Sequence, residues 1–225
     1  MSSAPPAVST PRRRAATLWL TAGLGVLVLF GLGPSILDGV DAEHPWRSEV
    51  ARHAAPTDLR PELTGNAPPA AASRIEDALA VLPAGLVRLG RERDAAVEML
   101  TAAELNRRYP SHSELSENAG IYDPEKHVAY VATDGSHNGH TALHEYGHLV
   151  DDALGRPSSG SAFAPIYDEA VAQKRLRRYY VSSPAETFAE LFARYYYSDR
   201  TRARLRREHP LAYEYFADLE ARHLE

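Results

Sequence analysis

The amino-acid sequence predicts an α+β fold dominated by helices, behind an N-terminal hydrophobic segment. Two short runs rich in apolar and β-branched residues, AAVEML at 95–100 and HVAYVAT at 127–133, predict strands. Longer segments with helical spacing follow them, and this order of strands and then helices is typical of α+β proteins. Hydrophobic residues make up 44% of the 225 residues and charged residues 24%, which is typical of folded proteins.

The N-terminal segment, residues 1–42, predicts export or membrane anchoring. Three arginines at 12–14 precede an uncharged stretch at 15–37. A helix of this length can cross a hydrocarbon core of about 30 Å, and arginines before it favour a cytoplasmic N-terminus. The alternative is a signal peptide cleaved near Ala42, since Val40 and Ala42 place small residues before a possible cut. Either way, we expect the folded part to lie outside the cytoplasm, anchored by one helix or secreted.

Residues 43–73 carry scattered prolines and show no sustained period, so they predict a flexible linker without packed structure. The folded domain is expected at 74–225, because S-R-I-E from Ser73 forms a capping box before residues of helical spacing. Pro83 interrupts this first helix.

The remaining helices are predicted from their start and stop signals. They are a helix capped by Thr101 and Glu104, one at about 141–154 that Gly155 ends, one from Ser183 to about Arg207, and one after Pro210.

The charge and the residue types exclude several kinds of function. A formal charge of -5 gives no reason to expect a nucleic-acid partner, and the basic runs QKRLRR and RTRARLRRE are typical of solvated helix faces. The chain contains no cysteine, which excludes disulfides, thiolate metal ligands and a cysteine nucleophile. Any metal ligands must therefore be His, Asp or Glu.

The stretch HEYGH at 144–148 predicts a metal site on the helix at 141–154. His144 and His148 are four residues apart and so share one helical face, where both imidazoles can reach one Zn²⁺ ion. Glu145 lies about 60° from His148 around the helix, so it can contact a bound water without being a ligand. The alternative is a chance occurrence of the pattern.

Two candidates for a third ligand lie on the next long helix, where Glu186 and Glu190 share one face. Both also have structural explanations. Glu186 completes a capping box with Ser183, and Glu190 can pair with Arg194 on an exposed surface. Spacing alone leaves these alternatives open. Asp151, one turn beyond His148, is either a partner for a ligand histidine or a surface carboxylate.

HEYGHLVDD followed by YYVSSPAETFAELF resembles the lethal factor-like zinc metallopeptidases, which include the Pro-Pro endopeptidases. The resemblance spans roughly residues 74–222 and implies a zincin-like domain with a small N-terminal sheet, a bound Zn²⁺ ion and an edge strand that aligns an extended peptide. It also implies roles for individual residues: His144, His148 and Glu186 as ligands, Glu145 as the catalytic base, Tyr179 pointing into the site with Tyr180 as the alternative, and Glu190 holding a ligand histidine in place.

The function implied by the resemblance is a zinc-dependent endopeptidase that acts on a peptide or protein outside the cytoplasm. The uncleaved N-terminal segment would add the membrane as a partner. Two alternatives belong to other classes of protein. One is a membrane-tethered, catalytically inactive zinc-binding interaction module, and the other is a structural interaction domain without metal.

Overall fold

The computed structural model describes residues 27–28, 50–110 and 119–224. The strands are β1 (Leu27–Val28), β2 (Glu62–Gly65), β3 (Ala96–Leu100), β4 (Gly120–Asp123) and β5 (Val128–Ala132). The helices are α1 (Pro69–Leu79), α2 (Ala84–Arg91), α3 (Ala102–Arg108), α4 (Asn138–Ala153), α5 (Ala164–Gln173), α6 (Pro184–Tyr197), α7 (Asp199–Glu208) and α8 (Pro210–Arg222). Short 3-10 turns lie at Pro157–Ser159 and Tyr179–Val181. The described residues therefore confirm an α+β fold dominated by helices.

The five strands form one mixed sheet in the order β1-β4-β5-β3-β2. β3 is parallel to both of its neighbours, whereas β4 is antiparallel to β5 and to β1. The two strands predicted from the sequence are β3 and β5. The predicted capping box of α3 is also present, with the Thr101 side chain accepting from the Glu104 amide and the Glu104 side chain accepting from the Thr101 amide.

The prediction of an unpacked linker at 43–73 is wrong for residues 50–73. This stretch supplies β2, which pairs with β3 at one edge of the sheet, and it starts α1 at Pro69 instead of after Ser73. Val50 is fully buried, and its amide donates to Asp199 Oδ1 at 2.9 Å. The prolines of this stretch lie before a turn, directly before β2 and at the start of α1, where the missing amide hydrogen costs little.

The single helix predicted from Ser183 to Arg207 is divided into α6 and α7. Ser198 has an extended backbone, and its side chain accepts from the Thr201 amide, so it ends α6 and caps α7. A serine inside a helical pattern can start a second helix in this way, and the periodicity of the apolar residues does not reveal the break.

The N-terminal segment is described at two residues. Leu27 and Val28 pair with Tyr122 and Ile121 of β4, so they form a strand where the sequence predicts part of an apolar helix. The rest of residues 1–42 lies outside the described part. Among the helices of that part, none combines the length and apolar composition needed to cross a bilayer.

Helix α4 lies at the centre of the fold, between the sheet and α6. Almost all of its residues are buried, including His144, Glu145 and His148. Gly147 allows the close approach of α6, because a Cβ atom there would lie 3.0 Å from Ala189 Cα. This contact brings the first turns of α6 against the histidines of α4.

Candidate metal centre

His144, His148 and Glu186 form one buried cluster between α4 and α6. The two Nε2 atoms of the histidines lie 3.2 Å apart, and His144 Nε2 lies 3.2 Å from Glu186 Oε2. His148 Nε2 lies 3.8 Å from Glu186 Oε1. The three side chains are at most 4% exposed. Histidines one turn apart on α4 thus face a carboxylate from the N-terminus of α6.

These separations fit a single divalent metal ion. Zinc binds nitrogen and oxygen at about 2.0–2.2 Å in a tetrahedron, which places neighbouring ligand atoms about 3.3 Å apart. The two separations of 3.2 Å match this value. Imidazole and carboxylate are also ligands that zinc commonly has in proteins. The donor set is therefore suited to zinc.

The Glu186 carboxylate faces the cluster and does not complete the capping box with Ser183. Ser183 accepts from the Glu186 amide at 3.2 Å, but the Glu186 carboxylate does not return to cap the Ser183 amide. Its oxygens instead contact His144 and accept a hydrogen bond from the Tyr179 hydroxyl at 2.8 Å. The carboxylate is thus directed at the histidines.

Burial and mutual contacts shift the pKa values of the two histidines in opposite directions. Burial alone would lower the pKa of His144, but the hydrogen bond with Glu186 and the nearby carboxylate of Glu190 outweigh burial and raise it. Burial and the neighbouring charge of His144 hold the pKa of His148 well below its usual range. The negative charge that keeps a proton on His144 also favours a divalent cation, whose binding releases such protons.

Glu145 lies beside the cluster and is 1% exposed. Burial raises its pKa to about 8, and the negative charge of Glu186 acts in the same direction, while the charge of His144 opposes both. Neither carboxylate oxygen makes a hydrogen bond of good geometry with the described residues, although the backbone amide of Tyr122 is near enough to lower the pKa of Glu145 slightly. A buried carboxylate without a partner is costly in a folded protein, so this one is a candidate for a role in chemistry.

Both tyrosines named from the sequence contact the cluster, at different places. The Tyr179 hydroxyl bonds to Glu186, whereas the Tyr180 ring packs on His144 with centroids 5.6 Å apart. The Tyr179 phenol therefore points towards the donor atoms, and Tyr180 provides a wall. Burial and the charges of Glu186 and Glu145 raise the pKa of Tyr179, so its hydroxyl stays protonated and can donate a hydrogen bond.

Glu190 lies one turn after Glu186, and it is buried rather than on an exposed face. It accepts from Arg194 Nε at 2.7 Å, and its second oxygen lies 3.6 Å from His144 Nδ1 and 3.9 Å from His140 Nε2. Burial would raise the pKa of Glu190, but Arg194 and His140 lower it to about 2. An ionised carboxylate thus faces the ring nitrogen of His144 that points away from the cluster.

Asp151 has a different environment from the one that the sequence suggests. Its two oxygens accept hydrogen bonds from the amide and the hydroxyl of Ser158, at 2.9 and 2.6 Å. This carboxylate holds the 3-10 turn after α4, which the chain reaches through Arg156 in a left-handed conformation. The contacts of Asp151 explain a structural role, and they do not support the prediction that it holds a ligand histidine.

Tyr122 of β4 is a site residue that the sequence analysis did not identify. Its ring stacks on His148 with centroids 6.5 Å apart, and its hydroxyl donates to Asp152 Oδ2 at 3.2 Å. It lies 26 residues before His148 and on another element, so local spacing gives no sign of the contact. The alternation of side chains along a strand could indicate only that Tyr122 and Gly120 share a face.

The fold and the donor set together define the class: a helix-dominated α+β protein able to hold a divalent metal ion in a buried site. The sequence model of the family described as anthrax toxin lethal factor, N- and C-terminal domain, matches residues 94–219, more than half of the chain. The chain therefore belongs to this family, which confirms the resemblance noted in the sequence.

Sequence and structure comparisons both find similarity to a Pro-Pro endopeptidase of Paenibacillus alvei. A Pro-Pro endopeptidase is 36% identical over 95 residues, which cover 41% of this chain and 44% of that protein. The solved structure of the Pro-Pro endopeptidase PPEP-2 aligns with a TM-score of 0.55 and 24% identity, covering 69% of this chain and 96% of that one. The second comparison shows a similar fold. The sequence match spans less than half the length of this curated relative.

Proposed function

We propose that the chain is a zinc-dependent endopeptidase, with His144, His148 and Glu186 as ligands and Glu145 as general base. The observation that carries the proposal is the buried donor set, whose 3.2 Å separations fit zinc, beside a buried carboxylate without a partner. Membership of the lethal factor family and the similarity to a Pro-Pro endopeptidase support a peptidase.

Glu145 would move the protons of the reaction. A bound zinc ion supplies Lewis acidity, which can lower the pKa of water to about 7. The oxygens of Glu145 have no partner among the described residues, so one of them can accept the proton of the attacking water. The same carboxyl group would then donate that proton to the departing amine nitrogen, which completes cleavage of the peptide bond.

Tyr179 would stabilise the negative charge that develops on the carbonyl oxygen of the substrate. Its hydroxyl keeps its proton and lies at the cluster, bonded to Glu186 at 2.8 Å. In the transition state the Tyr179 hydroxyl would donate its hydrogen bond to the developing oxyanion instead of to Glu186. This hydrogen bond would be stronger than one to the neutral carbonyl oxygen of the flat substrate, so it would stabilise the transition state more than the bound substrate. Glu190 would hold His144 in orientation through the ring nitrogen that faces it at 3.6 Å.

The substrate would be a peptide or protein in extended conformation. Because the relative is named a Pro-Pro endopeptidase, peptides with consecutive prolines are the first substrates to test. We also propose action outside the cytoplasm, from the arginines and the uncharged stretch at 15–37. Membrane insertion of that stretch would require β1 to leave β4. N-terminal sequencing of the native protein would distinguish an intact anchor from cleavage near Ala42.

The variant Glu145→Gln tests the function, because it keeps the shape of the side chain and removes its basicity. We expect one zinc ion per chain by elemental mass spectrometry and loss of cleavage by about 100-fold or more. Glu76→Gln, on the exposed face of α1, is the matched control and should cleave normally. Full cleavage by Glu145→Gln would refute the mechanism. Zinc binding with no cleavage by the wild type, across an unbiased peptide library, would indicate a binding module instead.

A further inference from the structure

The backbone of β4 lies directly on the side chain of Glu145 at Gly120. An ideal Cβ atom at Gly120 would lie 2.5 Å from Glu145 Oε1, 2.6 Å from Cγ and 2.8 Å from Cδ. Carbon atoms that are not bonded prefer separations of about 3.5–4.0 Å, so the Cγ contact would be about 1 Å too short. The Glu145 side chain therefore occupies the space that a side chain at position 120 would fill.

The requirement for glycine here comes from space and not from backbone conformation. Among the described glycines, positive φ angles occur at Gly65 and Gly155, so the backbone of Gly120 is one that alanine can adopt. Alanine is also at least as favourable as glycine in a strand. A substitution at this position consequently acts through its contact with Glu145.

Close packing against α6 opposes a shift of helix α4 away from β4. Gly147 lies about 200° around the helix from Glu145, on nearly the opposite face. There a Cβ atom would already lie 3.0 Å from Ala189 Cα of α6. Since α4 is held on both sides, a methyl group at Gly120 would displace the flexible side chain of Glu145 rather than the helix.

The same face of β4 contacts a second residue of the site. Tyr122, two residues after Gly120, points to the same side of the strand and stacks on His148. The strand thus presents a vacant position to Glu145 and a large ring to His148. One element sets the positions of both side chains.

We propose that Gly120 is a positioning residue for the general base, which it holds in place by leaving a slot in β4 that admits the side chain of Glu145. The inference rests on the proposed function for its catalytic meaning. It places Gly120, which has no reactive group of its own, among the determinants of the reaction rate.

A double-mutant cycle on the full-length chain tests the contact without reference to activity. Gly120→Ala should lower the melting temperature by about 5 °C or more in the wild-type background, because the methyl group and Glu145 compete for one space. In the Glu145→Ala background the space is vacant, and the same substitution should have little effect. Gly160→Ala is the matched control and should have equal effects in both backgrounds, since its nearest atom is the Pro157 carbonyl oxygen.

The kinetic part of the test asks whether the contact affects the reaction. Gly120→Ala should bind zinc stoichiometrically and lower kcat roughly 100-fold, the cost of a misplacement of about 1 Å, with a smaller change in KM. Equal effects of Gly120→Ala in the two backgrounds, or an unchanged kcat, would overturn the proposal. An inactive wild type that still shows the coupling would refute the proposed function, and with it the catalytic meaning of Gly120, while establishing the packing contact.

Discussion

The two carboxylates that the sequence offers as partners of a ligand histidine, Glu190 and Asp151, should differ sharply in their effect on metal affinity. Glu190 faces His144 Nδ1 at 3.6 Å, and neither this nitrogen nor the facing oxygen has a hydrogen-bond partner among the described residues. Asp151 bonds to Ser158 through both oxygens. Glu190→Gln should therefore weaken zinc binding, whereas Asp151→Asn should leave it nearly unchanged.

The expected loss for Glu190→Gln is about 10-fold to 100-fold in Kd, or about 1.4–2.7 kcal/mol. Two full charges 3.6 Å apart would interact by about 4–5 kcal/mol at an effective dielectric constant of about 20. The loss is smaller because a histidine that binds metal is neutral and presents the dipole of an N–H group to Glu190. Asp151→Asn keeps an acceptor for Ser158 and should change Kd by less than about threefold.

The assay is a zinc titration of the full-length chain against a chromophoric chelator of known affinity, carried out with the wild type and both variants. Melting temperatures of the metal-free proteins, measured in parallel, separate a loss of affinity from a loss of fold. Equal zinc affinity of wild type and Glu190→Gln would refute the reasoning. An effect of Asp151→Asn as large as that of Glu190→Gln would do so as well, because it would show that contact with the histidine is not the cause.

Three further predictions follow from contacts of the site and the core. Tyr179→Phe should lower kcat by about 100-fold with zinc content unchanged, whereas Tyr180→Phe should change kcat little. A larger loss of kcat in Tyr180→Phe would show that Tyr180, and not Tyr179, stabilises the oxyanion. With free zinc at about 100 times its Kd, addition of a chelator should lower the melting temperature of the wild type by about 5–10 °C. Glu186→Ala should show no such shift. Burial lowers the pKa of His209 to about 4. Between about pH 6.5 and pH 4, His209 therefore binds a proton in the unfolded chain but not in the folded chain, which favours unfolding as the pH falls. The melting temperature should drop over this range, and His209→Gln should reduce the drop.

The parts of the site that lie on one helix could be predicted from the sequence. The period of an α-helix alone places His144 and His148 on one face and Glu145 beside them. The capping signals located α3 and α8 for the same reason, since each depends on residues within one turn. Glu186 required more, because its spacing suits an N-terminal cap equally well, and the family resemblance rather than the spacing favoured a ligand.

Contacts between distant elements could not be predicted in this way. Nothing near Gly120 or Tyr122 in the chain indicates that β4 lies against α4, and Asp151 has the same helical spacing whether it faces a histidine or Ser158. No proline or glycine between Pro184 and Pro210 marks a break at Ser198, although the backbone there is extended. In each case the decisive partner comes from an element that folds against the residue, and sequence periodicity contains no information on such partners.

The packing of Val50 and β2 has a consequence for the choice of a fragment to express. The family match begins at residue 94, but the cooperative unit begins at or before residue 50, since Val50 is buried and bonds to Asp199. A protein truncated to the matched region would lack β2 and would leave one edge of β3 unpaired, which invites pairing between molecules and aggregation. It would also remove α1 from the surface of α4, so insolubility of such a fragment would reflect the position of the cut rather than poor stability of the intact chain.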